Sequence, residues 1–168
     1  MLIILGGLPG SGKTTLARAL AAKLDAAYLR VDSIEQTMRR SGIATVGAAG
    51  YAVAQQLATD NLRLGRNVIA DSVNPVAASR MGWRAAAETV SAHYVEIEVV
   101  CSDQAEHRRR VETRQADIEG HRMPSWADVQ ALQYEPWTVD LVVDTARDDI
   151  ESIAGGLAEQ LGGYQLGG

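Results

Sequence analysis

The sequence of 168 residues contains one cysteine, only two lysines and no apolar run long enough to cross a membrane. The single cysteine, Cys101, excludes an internal disulfide framework and fits a reducing compartment. Residues 1–6 are apolar, but this run is too short and too uncharged for a signal peptide, so we expect a cytoplasmic protein without a membrane partner. The net charge of −5 disfavours a duplex-binding surface, which is normally basic.

Short apolar segments alternate with helical patterns, which is typical of an α/β protein with a parallel sheet and crossover helices. We predict strands at 2–6, 27–31, 67–70, 94–100 and 140–143. Helices are predicted at 14–24, 33–40, 50–64, 75–90, 103–116, 126–133 and 149–161. Three helix starts have cap signals: Asn74 before Pro75, Asp103, and Pro124 with Ser125. Because no repeat or second unit is visible, we expect one domain over residues 1–168.

Residues 7–14, Gly-Leu-Pro-Gly-Ser-Gly-Lys-Thr, form a complete G-x-x-x-x-G-K-[ST] phosphate loop between the first predicted strand and the first predicted helix. Backbone amides at such a helix start form a concave anion site, and the helix dipole adds to it. Lys13 is placed to reach the β- and γ-phosphates, and the Thr14 hydroxyl to ligate Mg²⁺. The sequence therefore predicts binding of a nucleoside triphosphate, ATP with Mg²⁺. The predicted nucleotide-binding residues are Gly7, Pro9, Gly10, Ser11, Gly12, Lys13, Thr14 and Thr15.

Two aspartates follow predicted strands, at the sheet edge where open parallel sheets bind ligands. Asp32 follows the second strand and is predicted to accept a proton from an attacking hydroxyl; a helix N-cap at Asp32 or Ser33 is the alternative. Asp71 follows the third strand, where a carboxylate holds the metal's water shell or binds substrate, so it is the second predicted metal residue beside Thr14. A simple strand-end turn is the alternative for Asp71.

Arg110 and Arg114 lie four residues apart on the predicted helix 103–116, ahead of a polar lid segment at about 115–125. Both are predicted to neutralise charge on the transferred phosphoryl group, together with Lys13 and Asp32 as catalytic residues. A solvated basic helix face is the alternative. Arg122 is a weaker candidate, and Arg39 and Arg40 bind an anionic acceptor or merely complement the end of their helix.

The phosphate loop, Asp32, the segment 68–74 and the arginine-rich helix resemble small P-loop kinases over residues 1–146. The closest pattern is the group of predicted kinases and AAA-family ATPases that includes polynucleotide 5′-kinase domains and zeta-toxin-like and chloramphenicol-phosphotransferase-like enzymes; gluconate kinases are also similar. The resemblance implies a three-layer P-loop fold with a five-stranded parallel sheet of order 2-3-1-4-5 and helices on both faces. It also implies Asp32 as general base and Arg110 and Arg114 as lid arginines. Where the 5′-kinase pattern carries an arginine, three residues after Asp32, this chain has Glu35.

These features predict an ATP-dependent kinase that transfers the γ-phosphoryl group to a hydroxyl of a small molecule. The alternatives are an ATP-hydrolysing or ATP-binding regulatory module and a polynucleotide 5′-hydroxyl kinase. A GTPase is disfavoured because the sequence has no Asn/Thr-Lys-x-Asp segment. Neither the acceptor nor the choice between monomer and homodimer follows from the sequence.

Overall fold

Five strands form one fully parallel sheet: β1 (Leu2–Gly6), β2 (Ala27–Arg30), β3 (Val68–Asp71), β4 (Tyr94–Val100) and β5 (Leu141–Asp144). Their order across the sheet is β2-β3-β1-β4-β5, which confirms the predicted P-loop topology. The computed structural model describes residues 1–115, 117, 118, 120 and 123–163.

Seven helices occur among these described residues: α1 (Lys13–Leu24), α2 (Val31–Arg40), α3 (Ala49–Arg63), α4 (Ala77–Glu88), α5 (Gln104–Thr113), α6 (Trp126–Ala131) and α7 (Ile150–Gly162). None of the helices in that part of the chain has both the length and the apolar character needed to span a bilayer.

The central strand β1 is buried on both faces, which explains its uninterrupted run of aliphatic residues. Ile3 and Leu5 belong to a core cluster with side chains of α1 and α7, whereas Leu2 and Ile4 belong to a second cluster with side chains of α3 and α4. Full burial of each such side chain stabilises the fold by about 1.5–3 kcal/mol. The two clusters make the three layers of the predicted fold, and they fix the carboxyl end of β1 where the phosphate loop begins.

Most helix ends lie within two residues of the predictions, and two of the differences affect residues near the site. α4 begins at Ala77, so the prediction of Asn74 as its cap is wrong. Asn74 is fully buried with φ of 52°; its Nδ2 donates to the Leu5 carbonyl at 3.0 Å and its Oδ1 accepts from Trp83 Nε1 at 3.1 Å. α5 ends at Thr113, three residues early, and the extended backbone of its C-cap takes Arg114 off the helix.

Two other cap predictions are confirmed. Asp103 accepts hydrogen bonds from the backbone amides of Ala105 and Glu106, and Ser125 forms a capping box with Asp128. The Asp103 cap is relevant to the site because α5 carries Arg109 and Arg110, which line the cavity described below.

Candidate nucleotide and phosphoryl-transfer site

The phosphate loop connects β1 to α1 through glycines whose backbone conformation strongly disfavours other residues. Gly10 and Gly12 have φ of 85° and 91°, in the left-handed region. A Cβ on Gly10 would lie 2.5 Å from Val111 Cγ2, and one on Gly12 would lie 3.1 Å from the Thr145 side chain. The phosphate loop therefore has no room for side chains at these positions, and the first amides of α1 face it from the helix start.

Contacts from three directions hold the loop in place. The Gly7 amide donates to the Val73 carbonyl at 3.1 Å, and a ring nitrogen of His107, Nε2, lies 2.8 Å from the Pro9 carbonyl oxygen. The Ser11 carbonyl accepts from the Thr145 hydroxyl at 2.7 Å. Gly7, Pro9 and Ser11 thus anchor the loop, while the remaining predicted nucleotide residues line the cavity beside it.

Lys13, the first residue of α1, carries an ammonium group in a buried setting. The residue is only 6% exposed. Within residues 1–115, 117, 118, 120 and 123–163, no carboxylate lies within 4 Å of its Nζ. Lys13 lines the cavity in front of the loop, so its ammonium group is placed to bind an anionic ligand. The glycines of the phosphate loop and Lys13 together fit a bound triphosphate.

A cavity of about 360 Å³ opens in front of the loop, within the range of small-molecule sites. It brings the phosphate loop together with both predicted arginines of the α5 region. Its lining residues are Gly10, Gly12, Lys13, Thr14, Thr15, Arg18, Arg109, Arg110, Thr113, Arg114, Gln115 and Asp117.

Arg110 is fixed to the wall of this cavity by hydrogen bonds. Its Nε donates to Glu106 Oε1 at 2.7 Å, and its Nη1 and Nη2 donate to the hydroxyl and carbonyl of Thr145 at 2.8 and 3.1 Å. Hydrogen bonds from Arg109 and Arg110 lower the pKa of Glu106 to about 2, so this carboxylate stays ionised. The Thr145 hydroxyl links Arg110 to the Ser11 carbonyl and hence to the phosphate loop.

Sequence analysis missed Thr145, although a signal existed. The residue directly follows β5, at the same sheet edge that singled out Asp32 and Asp71. Its backbone amide donates to the Val100 carbonyl at 2.9 Å, which positions the hydroxyl beside the loop.

Asp32 lies in the first turn of α2, as its second residue, with a partly exposed side chain. The N-cap residue of α2 is Arg30 and no side chain caps the helix, so the cap alternative for Asp32 or Ser33 is wrong. Asp32 Oδ2 lies 3.9 Å from Arg30 Nη2.

Asp71, the last residue of β3, is 2% exposed and does not line the cavity. Its Oδ2 accepts from the Tyr28 hydroxyl at 2.7 Å and lies 3.9 Å from Arg30 Nε. Burial and the Asp71 charge raise the pKa of Tyr28 well above its usual value. The described residues contain no group of three acidic, histidine or cysteine side chains that would hold a metal. A metal site at Thr14 and Asp71 thus stays a prediction; Mg²⁺ bound to phosphates uses few protein ligands.

Arg30 and Arg18 are further cations that sequence analysis did not select. Arg30 Nη1 and Nη2 donate to the two carboxylate oxygens of Asp117 at 2.7 and 3.2 Å, and Arg18 Nη2 donates to Asp117 Oδ2 at 2.8 Å. Arg114 Nη2 lies 3.5 Å from Asp117 Oδ1. These contacts hold the pKa of Asp117 well below its usual range, the Arg30 hydrogen bonds being the largest cause.

Two further predicted cations, Arg39 and Arg122, have no described contact with this cluster. Arg39 donates to Glu35 at 3.0 Å, within α2. Arg122 lies outside the described residues, as do positions 116, 119 and 121 of the predicted lid segment.

Comparison with protein families matches residues 2–133 to a family described as AAA domain, AAA_33. The match covers well over half of the chain, which therefore belongs to this family. A comparison with curated proteins found no match.

Solved structures of kinases have the same fold. A protein from Chloroflexus aurantiacus whose name describes it as a presumed kinase is 25% identical, with 96% of each chain covered and a TM-score of 0.75. The APS kinase CysC of Mycobacterium tuberculosis, in complex with AMPPNP and APS, is 19% identical, with 95% of this chain and 96% of that chain covered and a TM-score of 0.67. A gluconokinase from Sinorhizobium meliloti is 19% identical, with 99% and 97% covered and a TM-score of 0.64. The likeness shows that this chain shares the fold of these proteins.

Proposed function

We propose that this member of the AAA domain family transfers the γ-phosphoryl group of ATP to a hydroxyl group of a small-molecule acceptor. The observation that carries the proposal is a series of neighbouring groups that runs from the phosphate loop to Asp32. Lys13 and Thr14 share one cavity with Asp117, Asp117 is hydrogen-bonded to Arg30, and Arg30 lies 3.9 Å from Asp32. The phosphate loop and the candidate base Asp32 thus lie on opposite sides of the ion pair between Arg30 and Asp117.

In the proposed reaction the acceptor oxygen attacks the γ-phosphorus and its proton passes to the Asp32 carboxylate. The bond between the γ-phosphorus and the oxygen that bridges it to the β-phosphorus breaks, and ADP leaves with that oxygen. Lys13 binds the β- and γ-phosphates, and Arg110 and Arg114 neutralise charge on the transferred group.

Magnesium, when bound, supplies further neutralisation of the phosphate charge. We propose the Thr14 hydroxyl as its protein ligand and Asp71 as a partner of its water shell. The Asp71 role is compatible with the structure only in part, because one carboxylate oxygen already accepts from Tyr28.

The names of several structural neighbours, among them an APS kinase and a gluconokinase, support a kinase. An ATP-hydrolysing module and a polynucleotide 5′-hydroxyl kinase remain as outcomes of the test below.

The test compares the unsubstituted protein with Asp32→Asn in an assay of ADP release. Labelled ATP and Mg²⁺ are supplied with sugars, nucleosides, antibiotics and a 5′-hydroxyl oligonucleotide as acceptors. We expect acceptor-dependent turnover that Asp32→Asn lowers by about 10²-fold or more while ATP affinity is retained, because only proton acceptance is lost. Lys13→Ala should abolish ATP binding itself.

Asp60→Asn is the matched control, because Asp60 is an exposed carboxylate that pairs with Arg63 away from the cavity. Turnover that needs no acceptor would support the hydrolysing module instead. Full activity of Asp32→Asn would refute Asp32 as the base.

A further inference from the structure

Three arginines from three elements converge on a single carboxylate. We call this group, Arg18 of α1, Arg30 at the end of β2 and Arg114 after α5, the arginine cradle. Each oxygen of the Asp117 carboxylate faces two of its guanidinium groups: Oδ2 faces Arg18 and Arg30 at 2.8 and 2.7 Å, and Oδ1 faces Arg30 and Arg114 at 3.2 and 3.5 Å. The forked donors of arginine match carboxylate and phosphate oxygens in this arrangement.

Arg30 is the buried centre of the cradle, with a side chain 3% exposed. Asp32 and Asp71 lie 3.9 Å from it, too far for hydrogen bonds, so in the described part of the chain its charge-assisted hydrogen bonds go to Asp117. Its buried Nε has no hydrogen-bond partner among the described residues. Among the described residues, the hydrogen-bonded counter-charge of this buried guanidinium is therefore the Asp117 carboxylate, which lies on the cavity side.

The cradle also lies in the wall of the nucleotide cavity. Arg18, Arg114 and Asp117 line that cavity together with Lys13 and Thr14. Ion pairs that only fixed the chain after α5 could lie anywhere along it, whereas these lie in the wall of the nucleotide cavity. The Asp117 carboxylate thus occupies a position that a ligand oxyanion in the cavity can reach.

We propose that the arginine cradle is a subsite for an anionic group, a phosphate or a carboxylate, on the phosphoryl acceptor, and that the Asp117 carboxylate competes with it for this position. The inference rests on the proposed function and narrows its acceptor to an alcohol that carries an anion. Arg114, the most distant of the three from Asp117, borders the transferred phosphoryl group of the proposed reaction. Arg30 is next to Asp32, where the reacting hydroxyl must lie, so the cradle favours the acceptor over the nucleotide as the source of the anion, whereas Lys13 serves the nucleotide.

The test is calorimetric titration of inorganic phosphate into the protein saturated with Mg²⁺ and a non-hydrolysable ATP analogue, at constant ionic strength. The analogue fills the phosphate loop, so further phosphate binding reports on the cradle. Asp117→Asn should bind phosphate at least about tenfold more tightly than the unsubstituted protein, since it removes the competing charge. Adding Arg30→Gln to Asp117→Asn should abolish that gain.

A second arginine keeps the test decisive if Arg30→Gln fails to fold. The Arg18 side chain is 55% exposed, so Arg18→Gln leaves the core intact, and in the Asp117→Asn background it should also weaken phosphate binding. Asp60→Asn and Arg63→Gln remove an exposed pair elsewhere and should change nothing.

Three results would overturn the proposal. Phosphate affinity unchanged by Asp117→Asn would show that the carboxylate does not compete, and affinity insensitive to the cradle arginines would place the ion elsewhere. Phosphate binding seen with ADP but lost with the triphosphate analogue would assign the cradle to the γ-phosphate. Because the titration needs no turnover, an inactive protein that binds phosphate as expected would refute the kinase proposal and leave the anion subsite standing.

Discussion

The Thr145 hydroxyl joins the phosphate loop to Arg110, and its removal tests how the site is held together. Thr145→Val keeps the shape of the side chain and deletes Oγ1. The hydroxyl accepts from Arg110 Nη1 at 2.8 Å and donates its one proton to the Ser11 carbonyl at 2.7 Å, and both hydrogen bonds disappear. The Val100 carbonyl, a longer alternative acceptor at 3.2 Å, keeps the hydrogen bond from the Thr145 backbone amide. The residue is 3% exposed, so water does not readily replace the first of them.

The two lost hydrogen bonds make unequal contributions to the free energy of unfolding. A buried carbonyl left without its donor costs about 1–3 kcal/mol. Arg110 is partly exposed and retains its bonds to Glu106 and to the Thr145 carbonyl, so the second loss adds about 0.5–1 kcal/mol. We therefore expect the free energy of unfolding to fall by about 1.5–4 kcal/mol. Nucleotide affinity should fall by about tenfold because the loop loses the contact at Ser11.

Urea unfolding followed by circular dichroism measures the first effect, and calorimetric titration with ATP and Mg²⁺ measures the second. Thr89→Val is the matched control: the Thr89 hydroxyl donates to the Ala85 carbonyl at 2.7 Å on an exposed helix end, far from the loop in sequence. It should change stability by less than about 0.5 kcal/mol. Equal losses in the two variants, or an unaltered ATP affinity in Thr145→Val, would refute the reasoning.

Two further predictions concern the loop and the cradle. Gly10→Ala combines a left-handed backbone with a Cβ 2.5 Å from Val111, so it should lower the free energy of unfolding by about 2–4 kcal/mol in urea denaturation. Gly65→Ala is the control, because Gly65 has φ of 74° and open space around it. This control measures the backbone strain alone, and we expect it to cost about 1 kcal/mol in the same assay. The lowered pKa of Asp117 stabilises the folded state above the ordinary carboxyl pKa of about 4, and this contribution is lost as pH falls toward the folded pKa. Acid titration of stability should therefore be flatter in Asp117→Asn than in the unsubstituted protein, and parallel slopes would contradict the ion-pair assignment.

The fold was predictable because its signals are local. A strand buried on both faces must be apolar throughout, and β1 is; the phosphate loop must follow it, and it does. Helix ends were less predictable where tertiary contacts decide them. Asn74 has the side chain of a helix cap, yet its amide group is used between the Leu5 carbonyl and the Trp83 indole, so α4 begins later.

The site was predictable only in the parts that one segment carries. Lys13 and Thr14 belong to a contiguous motif, and Arg110 was recognised from its helix. Thr145 is more than one hundred residues from the loop that it holds, and its role depends on β5 lying beside β4. Such a contact follows from strand order and not from residue type.

Arg30 shows why the cationic side of the site could not be found from the sequence. It ends a four-residue strand in which the other side chains are partly buried, a position that an exposed arginine occupies equally well. Only the register of the sheet, in which Arg30 is the neighbour of Asp71, turns its side chain into a buried charge. Once buried it must be balanced, and the carboxylates of Asp32, Asp71 and Asp117 surround it. The candidate base and the anion subsite therefore share one guanidinium, so any acceptor anion that enters the cradle is placed beside Asp32.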